Sequence, residues 1–113
     1  MATFYRAVWP EEEPVIRDTG VIPANHKRWK GCDGVYYEAG TVVFLFSAEK
    51  TWPSLIESFP KDLKEKYGAT RLIKFDMEAE VEMDKSGWGL WGSVVHKGPI
   101  PLASVKNFEW LDI

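Results

Sequence analysis

Asp76, Glu78, Glu80, Glu82 and Asp84 occupy five alternate positions, with Met77, Ala79, Val81 and Met83 between them. Period two is the signature of a strand, and residues two apart in a strand share a face at a spacing of about 6.6 Å. A continuous strand here displays a file of five carboxylates on one solvent face. The repeat is close to the roughly 7 Å between successive phosphates of a nucleic-acid strand. The file therefore predicts a contact surface for a basic partner, of the kind whose groove normally holds nucleic acid. The alternative is edge protection, in which an exposed edge strand is charged to stop sheets from pairing. Repulsion along the file favours a cationic partner.

Other residues have weaker signatures. His26-Lys27-Arg28-Trp29-Lys30 sets an aromatic ring among basic side chains, a combination that grips phosphate and stacks a base; a solvated loop tip has the same composition. Tyr36 and Tyr37 are candidates for ring stacking or for simple packing. His26 and His96 have no second histidine, cysteine or carboxylate at metal-ligand spacing, so no metal site is expected. Cys32 is the only cysteine, which excludes a disulfide framework and fits a reducing cytoplasm.

The elements that must position these residues follow from periodicity and turn chemistry. Phe4 to Trp9 reads as a first strand ended by Pro10. Glu11, Glu12 and Glu13 suit a helix N-terminus, and Gly20 suits its left-handed cap. A long connection to Gly40 has no clean period, and loops of that length are usually functional or mobile. Thr41 to Phe46 is a continuous apolar run, expected as a central strand covered on both faces. Pro53 starts a second helix with Leu55, Ile56 and Phe59 on one face, and Pro60 breaks or restarts it. Arg71 to Asp84 forms one long strand or two short ones, Ser86-Gly87 a turn, Trp88 to His96 an interrupted strand, and Phe108 to Ile113 the last strand. This order predicts an α+β domain, not a doubly wound sheet.

Composition narrows the function classes. The 113 residues are 45% hydrophobic and 27% charged, which is globular and the size of one domain. The longest apolar run is far too short to span a bilayer, and Met1 to Arg6 lacks a signal-peptide pattern, so a cytoplasmic protein without membrane contact is expected. Fourteen basic and seventeen acidic side chains give a net charge of −3, so direct nucleic-acid binding of the general electrostatic kind is not expected.

Four pieces in order resemble the small ADP-ribosyltransferase-like domains of bacteria and phages. They are the strand with Tyr5-Arg6, the stretch Ile16-Arg17-Asp18-Thr19-Gly20-Val21-Ile22, the run Phe44-Leu45-Phe46-Ser47 followed by Ala48-Glu49-Lys50-Thr51-Trp52, and His96-Lys97-Gly98-Pro99-Ile100-Pro101. The Ile16 to Ile22 stretch is also similar to part of a phage anti-CRISPR protein of that fold. The resemblance implies a single domain over residues 1–113, with a bent, split, antiparallel-rich sheet, two or three short helices and NAD in the cleft. It implies that Arg6 holds the dinucleotide and that Ser47 orders the pocket; with NAD in the cleft, Tyr36, like Tyr37, is a candidate for stacking on nicotinamide. A half-exposed strand arginine in a surface ion pair and a helix N-cap serine are the structural alternatives for the first two. The family's glutamate is missing from its expected place, where the chain reads Gly92-Ser93-Val94-Val95-His96, so no catalytic residue is assigned.

Two functions follow. One is a phage- or mobile-element-encoded inhibitor that uses Asp76, Glu78, Glu80, Glu82 and Asp84 to occupy a basic, nucleic-acid-binding surface of a host protein. The other is an NAD-dependent ADP-ribosyltransferase, or an NAD-binding relative of one, that acts on a host protein.

Overall fold

The computed structural model describes residues 1–51, 53–86, 89 and 92–113, with the backbone alone along 53–57 and 59. Strand β1 (Ala2–Val8) leads through Pro10 into helix α1 (Glu13–Thr19), and Gly20 at φ 67° caps the helix by donating its N–H to the Ile16 carbonyl. Strand β2 (Val21–Ile22) follows. The chain then forms a hairpin of β3 (Trp29–Lys30) and β4 (Tyr36–Tyr37) before β5 (Val42–Ser47), helix α2 (Pro53–Tyr67) and β6 (Arg71–Met77). The remaining elements are β7 (Glu82–Met83), β8 (Ser93–Lys97), β9 (Ile100–Pro101), a 3-10 turn (Leu102–Ser104) and β10 (Lys106–Asp112).

Six strands make one sheet in the order β10-β6-β1-β5-β8-β7, and every neighbouring pair is antiparallel. The α+β expectation holds, and β5 lies inside the sheet. The pairing is uneven: β1 matches β6 from Ala2↔Met77 to Val8↔Arg71, and β5 matches β8 from Val42↔Lys97 to Phe46↔Ser93. Between the two halves, β1 and β5 share only Phe4↔Ser47 and Tyr5↔Phe46.

Pleating sends alternate residues to opposite faces. Phe4, Val8, Val43, Leu45, Ile73, Phe75 and Val94 share the core face with Ile16 of α1, Ile22 of β2 and Ile100 of β9. Ala7, Phe44, Phe46, Ser93 and Val95 take the other face. The burial of Ala7, Val95 and Ser93 shows that this second face is covered as well.

Three sequence expectations need correction. Helix α2 runs through Pro60 without a break and ends where the N–H groups of Gly68, at φ 76°, and Ala69 reach the Lys64 and Leu63 carbonyls. The long connection is an ordered arm. Asn25 accepts from the N–H groups of Thr41 and Val42 and donates to the Lys27 and Glu38 carbonyls, tying both ends of the hairpin together. From Arg71 to Asp84 the two-strand alternative holds and the continuous file does not: β6 stops at Met77, residues 78–81 cross to the far edge of the sheet, and β7 pairs there with β8. Alternation cannot distinguish a paired strand from an extended crossover. The expected apolar face of Leu55, Ile56 and Phe59, the turn at Gly87, Trp52, and positions 88, 90 and 91 lie outside the described side chains. Of the strand expected from Trp88, Ser93–Lys97 forms β8, preceded by a turn at Gly92.

Candidate functional site

Just past the last β1–β5 pair, Arg6 turns into a buried ion pair. Its two terminal nitrogens donate to the two Glu12 oxygens at 3.2 and 2.8 Å, and one of them also donates to the Ala7 carbonyl at 3.0 Å. Glu12 accepts the Trp9 N–H at 3.3 Å, and His26 Nε2 stands 3.3 Å from it at the cleft mouth. Burial alone would raise the Glu12 carboxyl. The Arg6 hydrogen bonds and charge, the Trp9 N–H and His26 outweigh burial and hold Glu12 below its ordinary range.

This cluster closes one end of a cavity of about 610 Å³ walled by Trp9, Trp29, Phe44, Phe46, Leu63 and Tyr67. The same six side chains wall an adjoining lobe of about 330 Å³, whose far end is polar: Asp84, Ser86 and Ser93. Each wall has a local cause. Phe44 and Phe46 project from the second face of β5. Trp9 is fixed by donating its indole N–H to the Tyr67 carbonyl at 2.7 Å, which ties the end of β1 to the end of α2. Trp29 comes from the hairpin, whose Tyr37 ring meets Phe44 edge-on at 5.5 Å and whose Tyr37 hydroxyl accepts the Lys85 N–H.

At the polar end, Asp84 is 3% exposed. One carboxylate oxygen accepts the Ser86 N–H at 2.8 Å and the other accepts the Ser93 hydroxyl at 2.7 Å. Cross-strand register sets this up, since the Asp84 N–H donates to the Ser93 carbonyl and Ser93 faces Phe46 on β5.

Of the residues singled out for cofactor binding, Arg6 alone reaches the cleft, and its terminal nitrogens are already committed to Glu12 and Ala7. Ser47 is buried opposite Phe4, on the other face from Phe46. Its hydroxyl accepts the Lys50 N–H at 3.4 Å, so it serves the turn after β5 and does not cap α2. Tyr36 pairs with Lys30 on the hairpin and lies under the Arg28 guanidinium at 3.7 Å, outside the cleft walls.

The five carboxylates do not form a file. Asp76 accepts from Thr3 at 2.6 Å and Asn107 at 2.8 Å, and these two bonds lower its pKa. Glu78 and Glu80 are exposed on the crossover, Glu82 is exposed and pairs with Lys97 at 3.3 Å, and Asp84 is buried. His96 Nδ1 lies 2.9 Å from the Gly98 carbonyl, a local structural contact. Among the described residues no group of three His, Cys, Asp or Glu side chains is placed to hold a metal ion, and no helix is long and apolar enough to cross a membrane.

Sequence reasoning missed Glu12 as the partner of Arg6 and missed the aromatic walls. The available signal was the number of aromatic residues, among them Trp9, Trp29, Phe44, Phe46 and Tyr67, but no spacing in the sequence groups them. Comparisons with protein-family models, curated proteins and solved structures find no match for this chain.

Proposed function

We propose that the protein binds a small ligand with a planar ring in the aromatic cleft, and that the ligand is of the nucleotide class. The cleft that opens where β1 and β5 part supports this reading: it combines apolar ring walls with a polar cluster at each end, the usual composition of a cofactor or ligand pocket. NAD, implied by the resemblance to ADP-ribosyltransferase-like domains, is the first ligand to test. The Arg6–Glu12 pair forms one end wall, and Asp84 with Ser93 offers acceptors to hydroxyl or amide groups at the other. The test is titration of NAD, ADP-ribose and nicotinamide against tryptophan fluorescence, repeated with Trp29→Ala. Saturable quenching that weakens in the variant supports the reading. No saturable signal with any of the three defeats it.

A second reading keeps support from one observation. Glu78, Glu80 and Glu82 remain exposed on the crossover and edge strand, and a basic host protein fits such a surface. Replacing all three by glutamine should change stability by less than about 0.5 kcal/mol. This reading requires that salt-sensitive capture of a basic protein from host lysate be lost in the triple variant.

A further inference from the structure

We infer that the smaller lobe of the cleft is selective for an organic cation, with Asp84 as its counter-charge. The inference rests on the reading of the cleft as a ligand site and specifies the charge of what enters it.

Asp84 is almost fully buried, and its hydrogen-bond donors, the Ser86 N–H and the Ser93 hydroxyl, are both neutral. Among the described residues no cation pairs with it. The adjacent Lys85 reaches Asp33 at 3.5 Å, and Lys97 on β8 reaches Glu82. Arg6 belongs to Glu12 at the opposite end of the cleft. Neutral donors compensate a buried carboxylate only in part, and an opposite charge is the usual completion.

The space in front of Asp84 is walled by rings: Trp9, Trp29, Phe44, Phe46 and Tyr67. Ring faces are negative, so a desolvated organic cation is attracted to such walls as well as to the carboxylate. A compact, strongly hydrated ion such as sodium gains little from rings. A cation with delocalised or alkyl-shielded charge gains from both, and a lobe of about 330 Å³ admits either a flat N-alkylpyridinium or a quaternary ammonium group.

The experiment pairs each cation with a neutral molecule of the same shape: 1-methylnicotinamide with nicotinamide, and choline with 3,3-dimethylbutanol. Binding is read by tryptophan fluorescence or calorimetry, with NAD as a parallel ligand. At least one cation should bind roughly tenfold tighter than its neutral counterpart, and the pair that discriminates identifies the flat or the quaternary class. In Asp84→Asn, which preserves the polar contacts with Ser86 and Ser93, the ratio should fall towards one. Trp29→Leu, at a half-exposed wall position, should lower the ratio while keeping apolar area. If neither pair discriminates, or the preference survives in Asp84→Asn, the inference is wrong. NAD binding alongside that failure leaves the ligand reading standing; no binding by NAD or by either cation removes both.

Discussion

The Ser93 hydroxyl donates to the Asp84 carboxylate at 2.7 Å across the β7–β8 edge, and Asp84 faces the cleft instead of solvent. The last member of the acidic run thereby differs in kind from Glu78, Glu80 and Glu82. Ser93→Ala leaves one buried oxygen without its donor, which costs about 1–3 kcal/mol. Urea denaturation should show that loss, and a variant as stable as the parent would mean that water reaches Asp84 freely.

Arg6→Ala should be among the most damaging single changes in the chain. It leaves Glu12, 3% exposed, without its cation, and breaking a buried pair from one side costs about 3–5 kcal/mol. Arg6→Met combined with Glu12→Leu removes both charges and should recover much of the loss. Equal stability of the single and double variants would show that the unpaired Glu12 charge is not what costs the single variant its stability.

Stability should fall on acidification. The carboxyls of Glu12 and Asp76 are both held below their ordinary values in the folded chain. A depressed folded pKa means that the unfolded chain binds the proton first. The contribution is therefore complete above the unfolded pKa, about 4 for these groups, and is lost as pH falls through the folded value. Thermal melts from pH 7 to pH 3 should show a decline below about pH 4.5 that is shallower in Glu12→Gln. Carboxyl NMR should show Asp76 titrating higher in Thr3→Ala.

Much of the fold was legible because local chemistry and tertiary structure agree. Gly20 caps α1, the Val42–Phe46 run is an inner strand, and the terminal alternation is β10. The site was less legible because its residues converge from five places. Arg6 and Glu12 meet through a turn, Trp29 enters on an arm held by Asn25, and Tyr67 and Asp84 arrive from a helix end and an edge strand. Period two left one long strand or two short ones open from Arg71 to Asp84; whether Met77 is followed by another pair or by a crossover depends on partners distant in sequence.

Gly92→Ala should destabilise the chain substantially. Gly92 sits at φ 100°, where a side chain is strained, and a Cβ there would lie 2.8 Å from the Thr51 Cα and backbone nitrogen. Backbone atoms cannot rotate aside as a side-chain tip can, so the turn before β8 must shift, taking Ser93 and its bond to Asp84 with it. A loss of about 1–3 kcal/mol, with weakened ligand binding at the polar end of the cleft, is the expected result. An unchanged melting temperature would show that the β5–β8 connection adapts freely.

The final expectation is that the chain transfers ADP-ribose poorly or not at all, even if NAD enters the cleft. Transfer requires charge placed against the cationic centre that develops at the ribose carbon, because rate comes from interactions stronger in the transition state than in the bound substrate. Gly92 or Ser93 stands near the place where the resemblance would call for a glutamate, and neither supplies a negative charge. Glu82 is turned to Lys97 at the sheet edge. Asp84 lines the cleft beside Ser93 with both oxygens hydrogen-bonded, one by Ser86 and one by Ser93 itself. Incubation with labelled NAD and host lysate should therefore leave no protein labelled above a heat-inactivated control. Labelling that disappears in Asp84→Asn but persists in Glu82→Gln would restore the enzyme reading, with Asp84 supplying the charge from the neighbouring strand.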